Sequence, residues 1–256
     1  MFLRLIVISI GLALLFGLGT WQVQRLAWKN DVIATIDSRI GADPVALPPL
    51  SAWSSMNVTD WEYRPVTLTG RFDHDAETRV YTALTEPNTK TDGAFKGPGF
   101  WVMTPLMLEQ AGGQTGGIVI VNRGFVPQSR ATPDERGETE LPQGVLTLTG
   151  LLRAPELRVP FAPDNNAAAD DWYLRDPADI AAARGLSGVA PFTVDAAAVH
   201  TPTGGLPQSG ETRISIRNNH LQYALTWYAL AVVLLLMSVL WLRQDRHRQT
   251  EPDQDA

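Results

Sequence analysis

Cysteine is absent from all 256 residues, and that absence removes several chemistries at once. No disulfide can staple the fold, no thiolate can hold zinc or an iron-sulfur cluster, and the C-x-x-C-H attachment of a c-type haem is excluded. Copper delivery through thiolates falls with them, and the five methionines (1, 56, 103, 107 and 237) are too scattered for a thioether copper site. Local signatures of common catalysts are missing too. There is no G-x-S-x-G elbow, the four histidines are too dispersed for a Ser-His-Asp arrangement, and GGQTGG at 112–117 lacks the Lys-Ser/Thr of a phosphate loop. That glycine run reads as a hairpin turn, hydrolase chemistry has no support in the sequence, and with a formal charge of -6 no nucleic acid is expected as a partner.

Charge is scarce in two long stretches. Between Arg4 and Arg25 lie 20 uncharged residues, and between Arg217 and Arg243 lie 25 more. At about 1.5 Å of rise per residue, about 20 apolar residues cross the roughly 30 Å hydrocarbon layer, so each stretch predicts a transmembrane helix, over 4–24 and 218–242. Their few Ser and Thr hydroxyls can bond back to their own helix. A cleaved secretory signal is the rival reading of the first stretch. No A-x-A-like site follows it, and Trp21, Arg25, Trp28 and Lys29 recur at a helical spacing suited to a helix leaving through the headgroups, which favours an uncleaved anchor. Two spans put both termini on one side. Basic residues flank both sides, so they do not fix the orientation, and the four residues before the first span leave no room for a mitochondrial presequence, which points to a bacterial inner membrane.

Between the spans, residues 26–40 continue a helical pattern that Pro44, Pro48 and Pro49 end. From Tyr63 onward short alternating runs predict antiparallel strands: 64–72, 78–84, 100–106, 117–126, 144–153, 171–176 and 212–218. TLTG occurs twice, at 67–70 and 147–150, suggesting two strands that enter similar turns or bulges. DPADIAAARGL predicts a short helix with Asp176 as N-cap, Pro177 in the first turn and Gly185 at the end. Residues 85–99 and 127–143 read as loops. The expected chain is an α+β membrane protein: a mostly antiparallel β domain over 25–217, a sheet or partly open barrel with one or two short helices, held between the two spans, and a disordered tail over 243–256.

Two clusters could carry chemistry. FDHDAE at 72–77 gathers Asp73, His74, Asp75 and Glu77, but the spacing matches no defined metal loop and a solvated turn explains it better. His220 stands where the second apolar helix begins. His220, Tyr223, Ala224 and Trp227 fall at i, i+3, i+4 and i+7, one narrow face with a small residue in its middle that could receive a flat ring. A neutral imidazole is a standard axial ligand of haem iron, Tyr223 and Trp227 could pack or hydrogen-bond the macrocycle, and Arg213 and Arg217 could pair with propionates. An interfacial aromatic belt, with Asn218 or Asn219 capping the helix, is the plainer alternative.

Five blocks carry a resemblance: LGTWQVQRLAWK at 18–29, YRPVTLTGRFDHDAE at 63–77, GPGFWVMTPL at 97–106, VNRGFVP at 121–127 and NNHLQYALTWYALA at 218–231. In this order they resemble the surfeit-locus protein family of cytochrome c oxidase assembly factors, with Phe125 standing where many members carry tryptophan. The resemblance implies a two-span inner-membrane protein with a periplasmic domain and cytoplasmic termini that binds haem a transiently and assists its insertion into subunit I of a haem-copper terminal oxidase. It marks His220 as the iron ligand and Trp227 as a second haem position. Partners implied are oxidase subunit I, the lipid bilayer and, further off, haem a synthase. A haem-free membrane chaperone that stabilises nascent subunit I by helix packing is the competing reading.

Overall fold

The computed structural model of the protein describes residues 2–88, 94–109, 115–136, 142–158, 163–212 and 218–250. In chain order the elements are α1 (Phe2–Ile40), β1 (Val45–Ala46), α2 (Val58–Trp61), β2 (Pro65–Phe72), β3 (Thr78–Leu84), β4 (Gly97–Glu109), β5 (Thr115–Pro127), α3 (Pro133–Arg136), β6 (Leu146–Arg153), α4 (Pro177–Arg184), β7 (Val189–Ala196) and α5 (His220–Thr250). They form two units. One is the terminal helices, Met1–Ile36 with Ser215–Ala256, and the other is Asp37–Ile214.

Both terminal helices contain segments long and apolar enough to cross a membrane. The 39 residues of α1 would extend about 58 Å, well beyond the roughly 30 Å hydrocarbon layer. Burial on α1 repeats at Leu12, Leu15, Gly19, Gln22 and Leu26, the alternating three-and-four spacing of a helix facing a helix. On α5 the buried positions Ala224, Ala231 and Ser238 recur every seven residues. The pairing is antiparallel: Arg4 lies over the Trp241 ring at 5.3 Å, and Asn218 donates to Asn30 at 2.9 Å. Lipid tails are as apolar as leucine, so small residues that let backbones approach supply much of such pairing. Thr226 and Ser238 hydroxyls donate to the carbonyls of Gln222 and Leu234 on their own helix, as expected for hydroxyls in a span.

Gly19 is the tightest of these approaches, since a Cβ there would lie 2.7 Å from Cε1 of Tyr228. Gly19→Leu is therefore expected to displace that ring and destabilise the helix pair by about 1–3 kcal/mol. Gly17→Leu is the control, because a Cβ at Gly17 meets nothing within 4 Å. Thermal unfolding of the two variants in detergent should separate them. Equal melting temperatures would contradict the packing described.

Of the two architectures that periodicity left open for the domain, the barrel is the one formed, and it closes. The strand order is β1-β2-β6-β7-β5-β4-β3, and β2 also pairs with β4, so β2, β6, β7, β5 and β4 make a ring. Most neighbours are antiparallel, whereas β5 and β7 run parallel, as do β1 and β2. The two TLTG segments are cross-strand partners: Thr67 faces Thr149, Leu68 faces Leu148 and Thr69 faces Thr147. Their glycines sit where a strand exchanges neighbours. Gly70 is paired with both β6 and β4, and Gly150 with both β2 and β7. A Cβ at either would lie within 2.4 Å of a carbonyl oxygen, of Met107 or Asp195.

Alternation sorts the apolar residues into two cores. Val66 and Leu68, Leu148 and Leu152, Phe192 and Val194, and Val119 and Val121 fill one, and Val80, Trp101, Met103, Ile120, Trp172 and Ile180 of α4 form the other. Strand β5 contributes to both, which accounts for its unbroken GIVIV run. Helix α4 is built as its sequence predicts: the Asp176 carboxylate accepts from the Ala178 N–H, and Gly185 ends the helix at φ 65°.

Three expectations need correction. Residues 171–176 make only isolated bridges, Val80 with Trp172 and Asn166 with Asp171, because their role is to seat Trp172 in the second core. Strand β7 was not anticipated: Pro191 interrupts its pattern and its parallel partner β5 lies far away in sequence. The expected disordered tail is helical through Thr250, since α5 simply continues into its charged end. Most of the expected strand at 212–218 lies outside the described residues.

Three strands and two connections meet at one buried carboxylate, Asp195 of β7, which is 3% exposed. Its Oδ1 accepts from Asn122 at 3.0 Å and from Arg175 at 3.1 Å, and its Oδ2 from Thr212 at 2.9 Å and Arg153 at 3.2 Å. Arg175 also holds Glu156, and Arg153 lies 3.6 Å from Glu62. Burial by itself would push the Asp195 carboxyl up. The guanidinium of Arg175, then that of Arg153, outweigh it, with the bonds from Asn122 and Thr212 adding to them, and hold the carboxyl below its ordinary value.

Candidate functional site

The residues singled out on α5 occupy its first two turns. Asn219 precedes the helix and its carbonyl accepts from the Tyr223 N–H, while the Asn218 side chain is drawn to Asn30 of α1. His220 is the first helical residue and half-buried. Its Nδ1 lies 2.7 Å from Oε1 of Gln22, itself only 9% exposed. A carboxamide oxygen can only accept, so in the neutral ring Nδ1 is the nitrogen that carries the proton and donates, and Nε2 is the one left with a lone pair. Among the described residues no hydrogen bond engages Nε2.

The structure divides the predicted face. Ala224 is 2% exposed, buried at the helix seam, and so does not offer the open centre on which a flat ring could lie. Tyr223 is 54% exposed and Trp227 half-buried, so these two, rather than Ala224, present aromatic surface on the His220 side of the helix. Arg213 and Arg217 lie outside the described residues. One turn further along, Tyr228 packs its ring against Phe16 at 5.9 Å and places its hydroxyl 3.2 Å from the Thr20 Oγ1, which fixes the helix pair beside the histidine.

Gln22 is the residue that sequence reasoning missed. Its signal was its position: an uncharged polar side chain inside an apolar span, three residues after Gly19 and four before Leu26, on the face where α1 meets another helix. A polar side chain there needs a partner.

The acidic cluster at 72–77 is a turn between β2 and β3. Glu77 pairs with Arg136 and lies 3.7 Å from Arg123, and the His74 ring reaches the carbonyl of Pro142 through Nε2 at 3.0 Å. Among the described residues no three His, Asp or Glu side chains gather as a metal site. The β4–β5 connection, 110–114, holds the first half of GGQTGG and lies outside the described residues, and the strands on either side pair as a hairpin, with Glu109 facing Thr115.

Comparison with known proteins bears on the whole chain. The family model described as "SURF1 family" matches residues 10–232. Surfeit locus protein 1 of Homo sapiens is 37% identical over 235 residues, covering 90% of this chain and 73% of the relative. The Rattus norvegicus protein of the same name is 38% identical over 234 residues, covering 90% and 71%. A SURF1-like protein of Monosiga brevicollis is 37% identical over 239 residues, covering 91% and 85%. The match takes in both terminal helices up to residue 232 and the barrel between them, and the chain therefore belongs to the SURF1 family, the family of cytochrome oxidase assembly factors that its five sequence blocks resemble.

Proposed function

We propose that this protein, as an assembly factor without a catalysed reaction of its own, binds haem a at the start of α5 and hands it to subunit I of a haem-copper terminal oxidase. The observation that carries the reading is the state of His220: Nδ1 is engaged by Gln22, which leaves Nε2 as the nitrogen that can ligate iron. Haem a, when bound, supplies the redox centre that the oxidase needs. The chain's own residues hold and shield it. His220 offers the axial nitrogen, and Tyr223 and Trp227 offer aromatic surface for contact with the macrocycle. Arg217, one helical turn before His220 in sequence, is the proposed propionate partner. Release follows if the oxidase site, with histidine ligands of its own, binds the haem more tightly.

In this reading the two apolar helices lie in a bacterial inner membrane, the barrel domain is periplasmic and both termini are cytoplasmic. Subunit I is the partner, with haem a synthase as a source of the cargo.

A strain lacking the protein tests the reading. Its membranes are expected to keep their total haem a while subunit I is depleted of it, and the wild-type gene but not His220→Ala should restore the oxidase spectrum. Restoration by His220→Ala would instead favour a haem-free chaperone that packs against nascent subunit I. Loss of total haem a in the deletion strain would point to a role in haem a synthesis.

A further inference from the structure

We infer that Gln22 of α1 is a positioning residue for the iron ligand: it fixes the tautomer and plane of the His220 ring before any haem arrives. The inference rests on the haem reading above and adds a residue to it from the other terminal helix. Free imidazole side chains favour the proton on Nε2, the nitrogen that would then be blocked for a metal. A partner that accepts from Nδ1 reverses that choice, and metal-ligating histidines are commonly held in this way by a carboxylate or carbonyl oxygen on their second nitrogen. Here the oxygen is Oε1 of Gln22 at 2.7 Å, on a side chain buried at the helix seam.

The surroundings restrict both partners. Gly19 lies one turn before Gln22 and admits the Tyr228 ring so closely that a Cβ would meet it at 2.7 Å, while Asn30 holds Asn218 two residues before His220. Contacts therefore flank the pair on both sides and fix the two helices beside it. The seam also explains a polar residue that would otherwise be costly in an apolar span, because the Gln22 oxygen finds a donor in His220. Gln22 accepts a hydrogen bond and does not touch the iron, so its contribution is orientation and ligand basicity.

The test uses the full chain in lipid nanodiscs with imidazole nitrogens labelled by ¹⁵N, the His220 signals being assigned by their loss in His220→Ala. In the haem-free wild type the Nδ1 signal should be that of a protonated nitrogen and Nε2 that of a bare one. Gln22→Leu should shift the population toward Nε2–H, and Gln22→Glu, which still accepts, should keep the proton on Nδ1. Titration with ferric haem a should then show affinity reduced about 10- to 100-fold in Gln22→Leu and recovered in Gln22→Glu, the range typical for loss of such a partner. A Nε2–H tautomer in the wild type, or a Gln22→Leu variant with unchanged tautomer and affinity, overturns the inference while leaving the haem reading intact. If the wild type itself takes up no haem a, both fall together. A simple loss of helix packing would lower affinity without moving the imidazole proton, so the tautomer signal separates positioning from packing.

Discussion

Asp195→Ala is expected to lower the stability of the protein by about 3–5 kcal/mol, the cost of removing one partner from a buried ion pair. Total stability of a domain is about 5–15 kcal/mol, so the variant should melt far below the wild type. The reason is what stays behind. Among the described residues Arg175 would keep Glu156 and Arg153 would keep Glu62 as ion-pair partners, while Asn122 and Thr212 would lose the oxygen to which each donates. Asp195→Asn keeps acceptor oxygen and shape, and should cost less. The pH dependence has a definite sign. The folded carboxyl is held below its unfolded value, so its contribution is complete above about pH 4 and is lost as pH falls through the folded value. The gap in stability between wild type and Asp195→Asn should narrow with acidification below pH 4. Urea titrations of the detergent-solubilised chain at pH 7 and pH 3 measure it, and a gap that widens in acid would contradict the arrangement.

Gly124→Ala is the second large effect, and its cause is backbone geometry. Gly124 has φ 136°, a conformation that side chains avoid, and a Cβ there would lie 2.3 Å from the carbonyl oxygen of Gln208. That carbonyl cannot retreat cheaply, since Phe125 N–H donates to it at 2.9 Å and Gln208 N–H returns a bond to Phe125 at 2.8 Å. Strain of about 1–3 kcal/mol for the backbone and a further 1–3 kcal/mol for overpacking are expected together. Gly144→Ala gives the comparison: φ is 79° and a Cβ meets nothing within 4 Å, so only the strain remains. Melting curves that rank Gly144→Ala as the more damaging change would refute the close approach.

The second of these positions also shows where reading the sequence succeeds. Gly124 lies inside VNRGFVP, one of the blocks that carried the family resemblance, and the structure supplies the physical reason for a glycine there. The alternating runs at 64–72, 78–84 and 144–153 became β2, β3 and β6 because one face of each is buried, and alternation records that directly. The closed ring was not legible. Closure depends on β2 reaching β4 past Gly70 and on a parallel pairing between β5 and β7, and neither leaves a local pattern. The two TLTG segments were visible as a repeat, but only the register shows that they face each other.

At the candidate site, helical spacing brought His220, Tyr223 and Trp227 together correctly as neighbours on α5, and it misjudged Ala224. A small residue in an aromatic face reads as space for a ligand, whereas in a membrane helix pair it is as readily the point of closest approach to another helix. Gln22 was hidden for a related reason. Its partner is 198 residues away, so only a fold that brings the two termini side by side reveals it.

The most direct test is the haem content of the purified protein. The full chain, expressed in cells that make haem a and isolated in detergent, should carry haem a with the absorption of a histidine-ligated iron, and His220→Ala, equally folded by circular dichroism, should carry little or none. Equal haem in the two preparations, or none in the wild type, would contradict the assignment of His220 as the ligand.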